Sequence, residues 1–272
     1  MVQPIHFEII RDTKQRGNIR FAIFDFDGTI STFREGWQEV MHAMMREYLL
    51  PTPRGERQEV LDQIIREAID VTTGKQTIYQ MIGLREMVLA RGGDALEAVD
   101  YKAIFNQRLL ARIEHRLMDV QSGRLTPLEM MVPGALKILE AMQKMDVRCF
   151  LASGTDQPYV ENEAGILGID KYFEEIYGAR ENFREHSKRK VIERIIRENH
   201  LHGTELVGFG DGFVEIEDVN RVGGIAVGVA SDEVRRCGVN QWKRERLINA
   251  GADVIIGDFQ EADMLVDWLW QR

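Results

Sequence analysis

The sequence predicts an α/β fold built on a parallel sheet with one large helical insertion. Short apolar segments that end in small or acidic residues alternate with amphipathic stretches, which is typical of right-handed βαβ units. The segments expected to form strands are residues 21–26, 147–152, 175–177, 206–209, 225–229 and 254–256. Between the first two strands, no strand pattern occurs from about Phe33 to Leu128. The apolar spacing there instead predicts helices at 36–48, 57–69, 77–90 and 96–118.

These two patterns also predict the domain organisation. We expect a Rossmann-like parallel-sheet core made of residues 1–32 and 129–272, interrupted by an all-α domain of residues 33–128. The 272 residues suit a core domain with a smaller inserted one. Pro133-Gly134, just before an amphipathic stretch, marks the return of the chain to the core.

Composition limits the classes of partner. The formal net charge of −9 offers no positive surface for nucleic-acid phosphates. No stretch approaches the roughly 18 consecutive apolar residues of a membrane span, and the charged segment 1–20 does not resemble a secretory signal. Cys149 and Cys237 are the only cysteines and suggest neither a disulfide framework nor a zinc site. We therefore expect a cytoplasmic protein that binds neither nucleic acid nor a membrane.

The most informative segment is the end of the first predicted strand. The apolar run Phe21–Phe24 stops at Asp25, followed by Phe26, Asp27, Gly28 and Thr29. Ionised aspartate is costly to bury without a partner, so two of them at a strand end call for a ligand such as a cation. Side chains two apart along a strand point the same way, and the carboxyl ends of parallel strands line the ligand crevice. A plain Asp-Gly turn is the alternative interpretation.

This DFDGT segment after an apolar strand resembles the first motif of the haloacid dehalogenase-like hydrolase superfamily, most of whose members are phosphatases. The resemblance implies that the helical insertion at 33–128 is a cap that closes the active site. It extends over the core from about Phe21 to Ile256, while the cap matches only in position and helical character. The superfamily has three further motifs, and each has a counterpart in this chain.

The second motif is a hydroxyl residue at the end of the next strand, where this chain has Ser153, Gly154 and Thr155. A hydroxyl followed by backbone N–H groups at a helix start can hold an anion, although the same residues also make a good turn and helix cap. The third motif is a lysine that opens a helix and binds the phosphate. Lys188 matches this position best, with Lys190 as the competitor in the same turn.

The fourth motif is acidic and follows the predicted strand at 206–209. Asp211 and Glu215 lie four residues apart, where the superfamily has a pair, usually two aspartates, that holds Mg²⁺. Whether the longer Glu215 side chain binds the ion directly or through water is left open. The resemblance implies that Mg²⁺ is held by Asp25, the carbonyl of Asp27 and Asp211, because this ion prefers oxygen ligands and retains several waters.

The resemblance implies a Mg²⁺-dependent phosphohydrolase acting on a small phosphorylated metabolite. Asp25 would attack the phosphorus and form an aspartyl-phosphate, and Asp27 would act as general acid and then as base. Ser153, Thr155 and Lys188 would bind the phosphoryl oxygens. The dehalogenase branch lacks the second aspartate, so Asp27 favours phosphate chemistry.

Two other functions are compatible with these motifs. A phosphosugar mutase uses the same residues but excludes water and returns the phosphate to the sugar. A non-catalytic sensor of phosphorylated ligands would be expected to lose Asp25 or Asp27, and this chain has kept both.

The substrate is less determined than the reaction. Arg34 and Trp37 follow the first motif and are candidates to contact the leaving group, although such residues also start helices and fill cap cores. The segments REGW and SGTDQPYV look like those of phosphatases associated with carbohydrate kinases. The sequence therefore favours a sugar phosphate as the substrate.

Overall fold

The computed structural model describes residues 7–180, 188–200 and 203–272. The chain divides into two compact units, a core of residues 1–35 and 116–272 and a helical unit of residues 36–115. The predicted boundaries of the helical insertion were residues 33 and 128. The assignment of the helical unit as a cap stays a prediction.

The core unit contains one sheet of seven strands, in the order β1-β7-β6-β5-β2-β3-β4. All neighbouring strands are parallel except β1, which pairs antiparallel with β7 at one edge. The strands are β1 (Phe7–Ile9), β2 (Phe21–Phe24), β3 (Arg148–Asp156), β4 (Glu175–Ala179), β5 (Leu206–Gly210), β6 (Ile225–Val229) and β7 (Val254–Ile256). The first motif therefore follows β2, an interior strand of the sheet, with β5 and β3 on either side.

Helices cover both faces of this sheet. Phe21 and Ile23 of β2 pack into one apolar core, and Ala22 and Phe24 pack into the other. All four residues of β2 are buried, as expected for a strand of a parallel sheet that is covered on both faces. The core helices are α5 (Ala135–Lys144), α6 (Gln157–Leu167), α7 (Lys188–Asn199), α8 (Phe213–Arg221), α9 (Gln241–Ala250) and α10 (Ala262–Trp270). Short 3₁₀ turns occur at Pro127–Met130, Asp170–Tyr172 and Gly203–Glu205.

The helical unit is formed by α1 (Trp37–Leu49), α2 (Gln58–Thr72), α3 (Thr77–Leu89) and most of α4 (Ala98–Gln121). Its interior holds buried methionine and aliphatic side chains, among them Met41, Met44, Leu61, Ile65 and Leu84. The rings of Tyr48 and Tyr101 meet edge to face at 4.8 Å, an arrangement that stabilises aromatic pairs. In the described part of the chain, no helix is both long enough and apolar enough to cross a membrane.

The predicted α/β fold class with a parallel-sheet core is confirmed. Strand β2, predicted at residues 21–26, ends at Phe24, two residues earlier than predicted. The reason is that the carbonyl of Phe26 already accepts hydrogen bonds from the amides of Thr29, Ile30 and Ser31, which turns the chain. Strand β3 continues beyond the predicted end at residue 152, because Asp156 pairs with Ala179 of β4 after an irregularity.

Candidate active site

Asp25 lies directly beyond β2 and is only 5% exposed. Its backbone N–H donates to the carbonyl of Phe209 in β5 at 2.8 Å, which continues the ladder by one residue. Its Oδ1 accepts a hydrogen bond from the N–H of Phe26 at 2.7 Å. A carboxylate fixed in this way at the carboxyl end of an interior strand lies at the edge where open α/β sheets bind ligands.

Asp27 is held by residues at the end of β3. Its Oδ2 accepts a hydrogen bond from Thr155 Oγ1 at 2.7 Å, and Ser153 Oγ lies 3.5 Å from the same oxygen. Its Oδ1 lies 3.8 Å from Nε of Arg34, in the segment that leads out of the core. The structure therefore brings together four of the predicted site residues around one carboxylate.

Arg34 is buried and paired with Glu163 of α6. Nε of Arg34 lies 3.2 Å from both carboxylate oxygens of Glu163, and Nη2 lies 2.6 Å from Oε1. Burial would lower the pKa of the guanidinium, but Glu163 and Asp27 raise that pKa above its ordinary value. Burial also raises the pKa of Glu163, against the opposing effect of Arg34. The charge of Arg34 is thus shared between Glu163 and Asp27.

Asp211 follows β5 and lies against the turn of the first motif. A Cβ placed on Gly28 would be 2.3 Å from Asp211 Oδ2, and Gly28 has a φ of +73°. Only glycine therefore fits at position 28, because a side chain there would displace the Asp211 carboxylate and strain the backbone. The first and fourth motifs, separated by most of the chain, meet at this point.

Lys243 of α9 is a buried cation that the sequence analysis missed. Its Nζ lies 2.8 Å from Asp211 Oδ2, 2.8 Å from Glu233 Oε1 and 3.1 Å from Ser231 Oγ. Ser231 in turn donates to the carbonyl of Gly28 at 2.5 Å. Burial would lower the pKa of Lys243, but the two carboxylates raise that pKa above its ordinary value, so the side chain is an ammonium at neutral pH.

A signal for part of this cluster was present in the sequence. Ser231, Asp232 and Glu233 begin two residues after the end of β6, so they repeat the pattern of polar residues at a strand end. No comparable signal marks Lys243, which lies in the strongly charged segment Gln241–Ala250. Its role depends on contacts with residues that are distant in the sequence.

The donor set fits the predicted magnesium ion. Carboxylates of Asp25 and Asp211 and the backbone of Asp27 offer oxygen atoms, and Glu215 is buried in the first turn of α8. Within residues 7–180, 188–200 and 203–272, no group of three His, Cys, Asp or Glu side chains is arranged to hold a metal ion. Mg²⁺ does not need such a group, because it commonly binds through one or two carboxylates together with water and substrate phosphate.

The contacts described above do not include three further residues, Lys188, Lys190 and Trp37. Lys188 is the first residue of α7, but its side chain and the preceding Ser187 lie outside the described part of the protein. Lys190, its competitor, is exposed. Trp37 is half-buried and begins α1 of the helical unit.

The comparisons with known proteins agree with this architecture. The family model described as haloacid dehalogenase-like hydrolase matches residues 22–229. The fold is similar to that of a predicted phosphoglycolate phosphatase from Haemophilus somnus, with a TM-score of 0.61, 15% identity, and coverage of 92% of this chain and 98% of the other. None of the curated proteins compared matches the chain in sequence.

Two further solved structures show the same fold. A haloacid dehalogenase-like family hydrolase from Streptococcus pneumoniae aligns with a TM-score of 0.58 at 15% identity, over 92% of this chain and 99% of that one. A β-phosphoglucomutase from Clostridium difficile aligns with a TM-score of 0.55 at 15% identity, over 85% of this chain and 98% of that one. At these identities the likeness concerns the fold alone.

Proposed function

Because the chain belongs to the haloacid dehalogenase-like hydrolases, as predicted from its motifs, we propose that it is a Mg²⁺-dependent phosphatase of small phosphorylated metabolites. The observation that carries the proposal is that Asp25 and Asp27 follow β2, Asp211 follows the neighbouring β5, and Asp211 lies against Gly28 of the same turn. Members of this superfamily generally use Mg²⁺, and the oxygen donors described above suit that ion. A sugar phosphate is the substrate class that the sequence favours.

The proposed reaction proceeds in two steps on residues of the core. The Asp25 carboxylate attacks the phosphorus in line with the leaving oxygen and becomes an aspartyl-phosphate. Asp27 donates a proton to the leaving alkoxide, and its carboxylate then removes a proton from the water that hydrolyses the intermediate. When bound, Mg²⁺ supplies positive charge that offsets the repulsion between the carboxylate and the phosphate.

The remaining site residues bind the phosphoryl group in this proposal. Ser153, whose Oγ lies 3.5 Å from Asp27 Oδ2, and Gly154 belong to the last residues of β3 and would offer a hydroxyl and a backbone N–H to phosphoryl oxygens. Thr155, in the same turn, was predicted to share this role, but its hydroxyl donates to Asp27 Oδ2 at 2.7 Å. Lys188, at the start of α7, is proposed to supply a positive charge. The exposure of Lys190 supports the choice of Lys188 over its neighbour.

The direct test is a panel of phosphorylated metabolites, weighted towards sugar phosphates, with released inorganic phosphate as the readout. We expect phosphate release that stops with EDTA and returns on addition of Mg²⁺. Isomer formation without phosphate release would instead identify a mutase. The absence of both reactions across the panel would contradict the proposal.

A further inference from the structure

We propose that Arg34, Glu163 and Thr155 form a positioning set for the carboxylate of Asp27, and that Arg34 and Thr155 do not act chiefly as substrate ligands. The inference rests on the proposed function, because it takes Asp27 as the general acid and base. It assigns a task to Glu163, which no motif identifies, and a different task to two residues predicted to bind substrate.

The first arm of the set is Thr155. Its hydroxyl donates to Asp27 Oδ2 at 2.7 Å, the distance of a strong O–H···O⁻ hydrogen bond. Its backbone N–H donates to Ser153 Oγ at 3.0 Å, which fixes the turn that presents the hydroxyl. A hydroxyl has a single proton, so Thr155 cannot donate to Asp27 and to a phosphoryl oxygen at once.

The second arm is Arg34, which faces the other oxygen of Asp27. Its guanidinium is engaged along Nε and Nη2 by the carboxylate of Glu163, the fork geometry that would otherwise bind a phosphate. Arg34 is 7% exposed and Glu163 is 1% exposed. The ring of Tyr159 lies 5.7 Å from the guanidinium carbon, on the same helix as Glu163. The guanidinium is thus fixed by α6.

Burying this ion pair needs a reason beyond stability. Removing two charges from water costs several kcal/mol per ion, and an apolar pair of similar volume is often as stable. The pair stands 3.8 Å from Asp27, so its location next to a reacting group supplies that reason. With Thr155 on one oxygen and Arg34 beside the other, the Asp27 carboxylate is restricted to one orientation.

The orientation of Asp27 should matter more for some leaving groups than for others. Protonation of the leaving oxygen matters most for alkoxides, which are poor leaving groups, and little for nitrophenolate, which leaves without assistance. General acid catalysis contributes about 10²–10⁴-fold, and a displaced acid loses much of this. Variants that misplace Asp27 should therefore lose activity in proportion to the basicity of the leaving group.

The experiment compares Thr155→Val, Arg34→Lys and Glu163→Gln with wild type. Each variant is assayed with p-nitrophenyl phosphate, phenyl phosphate and the best alkyl phosphate from the metabolite panel. We expect kcat/KM for the alkyl phosphate to fall by about tenfold or more, and that for p-nitrophenyl phosphate to stay within about threefold. The inhibition constant of inorganic phosphate should not change. Arg20→Lys, at the opposite end of β2, is the matched control and should behave as wild type.

Two results would overturn the inference while leaving the proposed function intact. One is an equal loss for all three substrates, and the other is weaker inhibition by inorganic phosphate, which would make Thr155 or Arg34 a phosphate ligand. If Arg34→Lys fails to fold, the nearly isosteric Thr155→Val still decides the question. A wild-type protein that hydrolyses none of the substrates would overturn the function as well.

Discussion

The two ends of β2 differ in the solvent exposure of their cationic side chains. At its amino end, Arg20 pairs with Glu205 across a distance of 3.2 Å, and the Arg20 side chain is 55% exposed. At its carboxyl end, Asp25 is 5% exposed and is followed by a carboxylate held by β3 and a buried arginine. The same strand, with the same apolar interior, thus carries at one end an ion pair whose carboxylate, Glu205, is buried but whose cation is exposed. At the other end both the carboxylate Asp25 and the cation Arg34 are buried.

This difference indicates which end of the sheet has been shaped by function. An ion pair whose cation is exposed gains little, about 1 kcal/mol or less, and Glu205 also accepts a hydrogen bond from the Asn18 amide. Buried carboxylates are costly, and here they come with buried cations, Arg34 and Lys243, rather than being replaced by apolar residues. The contrast predicts that substitutions at the carboxyl end act on activity, while those at the amino end act weakly and only on stability.

The sharpest contrast is between Asp25→Asn and Arg20→Met. The amide keeps the shape of the carboxylate but cannot form the phospho-enzyme, so we expect phosphate release to fall by more than about 100-fold with the fold intact. Arg20→Met should retain wild-type turnover and lose about 1 kcal/mol of stability or less. Thermal unfolding and steady-state assays measure both. A folded Asp25→Asn protein that keeps more than about 3% of wild-type activity would refute the nucleophile assignment.

Removal of one metal ligand should have the next largest effect. Asp211→Ala is expected to raise the Mg²⁺ concentration needed for half-maximal activity by about tenfold or more, with a smaller effect on stability. Calcium should substitute poorly, because its looser coordination shell disturbs in-line geometry. Asp263→Ala, at a carboxylate that is 89% exposed in α10, is the control and should leave the Mg²⁺ dependence unchanged. Full activity in excess chelator would contradict the metal site.

The two lysines at the start of α7 provide a narrower test of the same edge. Successive residues of a helix diverge by about 100°, so Lys188 and Lys190 cannot both reach one phosphate. We expect Lys188→Ala to abolish turnover and Lys190→Ala to remain near wild type. Steady-state assays measure the turnover of both variants, and each variant is the control for the other. The reverse result would show that the register predicted for this helix is wrong, and the family assignment would still hold.

The smallest expected effect concerns the buried interior of the sheet, between the two ends of β2. Cys149 of β3 pairs in register with Ala22 of β2, and burial raises the pKa of its thiol to about 12. At pH 8 only about one such thiol in ten thousand is ionised, whereas Cys237 is exposed. Iodoacetamide at pH 8 should label Cys237 alone in the native protein and both cysteines in urea. Mass spectrometry showing native labelling of Cys149 would contradict a dry, closely packed sheet.

Local patterns were sufficient to predict the fold class and most of the strands. The central strands are apolar runs that end in polar residues, and this pattern needs no knowledge of tertiary contacts. Strand β1 was missed because Phe7–Ile9 is short and half-exposed, and it is defined by its antiparallel pairing with β7. Three residues do not show a period from sequence alone.

The candidate site likewise contains residues that local patterns predict and residues that they do not. Asp25 and Asp27 could be predicted because they share one strand end, and Asp211 because it repeats the pattern after β5. The partners that hold these carboxylates, Glu163 and Lys243, lie within helices and carry no local signal. They become recognisable only when the sheet brings α6 and α9 to the same edge, which is a property of the topology.

The central claim is that the carboxyl end of β2 carries the nucleophile, and the most direct measurement is the location of a trapped phosphate. Asp27→Asn should slow hydrolysis of the intermediate, so incubation with Mg²⁺ and p-nitrophenyl phosphate, a substrate with a good leaving group, followed by rapid acid quench should accumulate phospho-enzyme. Mass spectrometry of the digested protein is expected to place the phosphate on Asp25. Phosphate on any other residue would contradict the account.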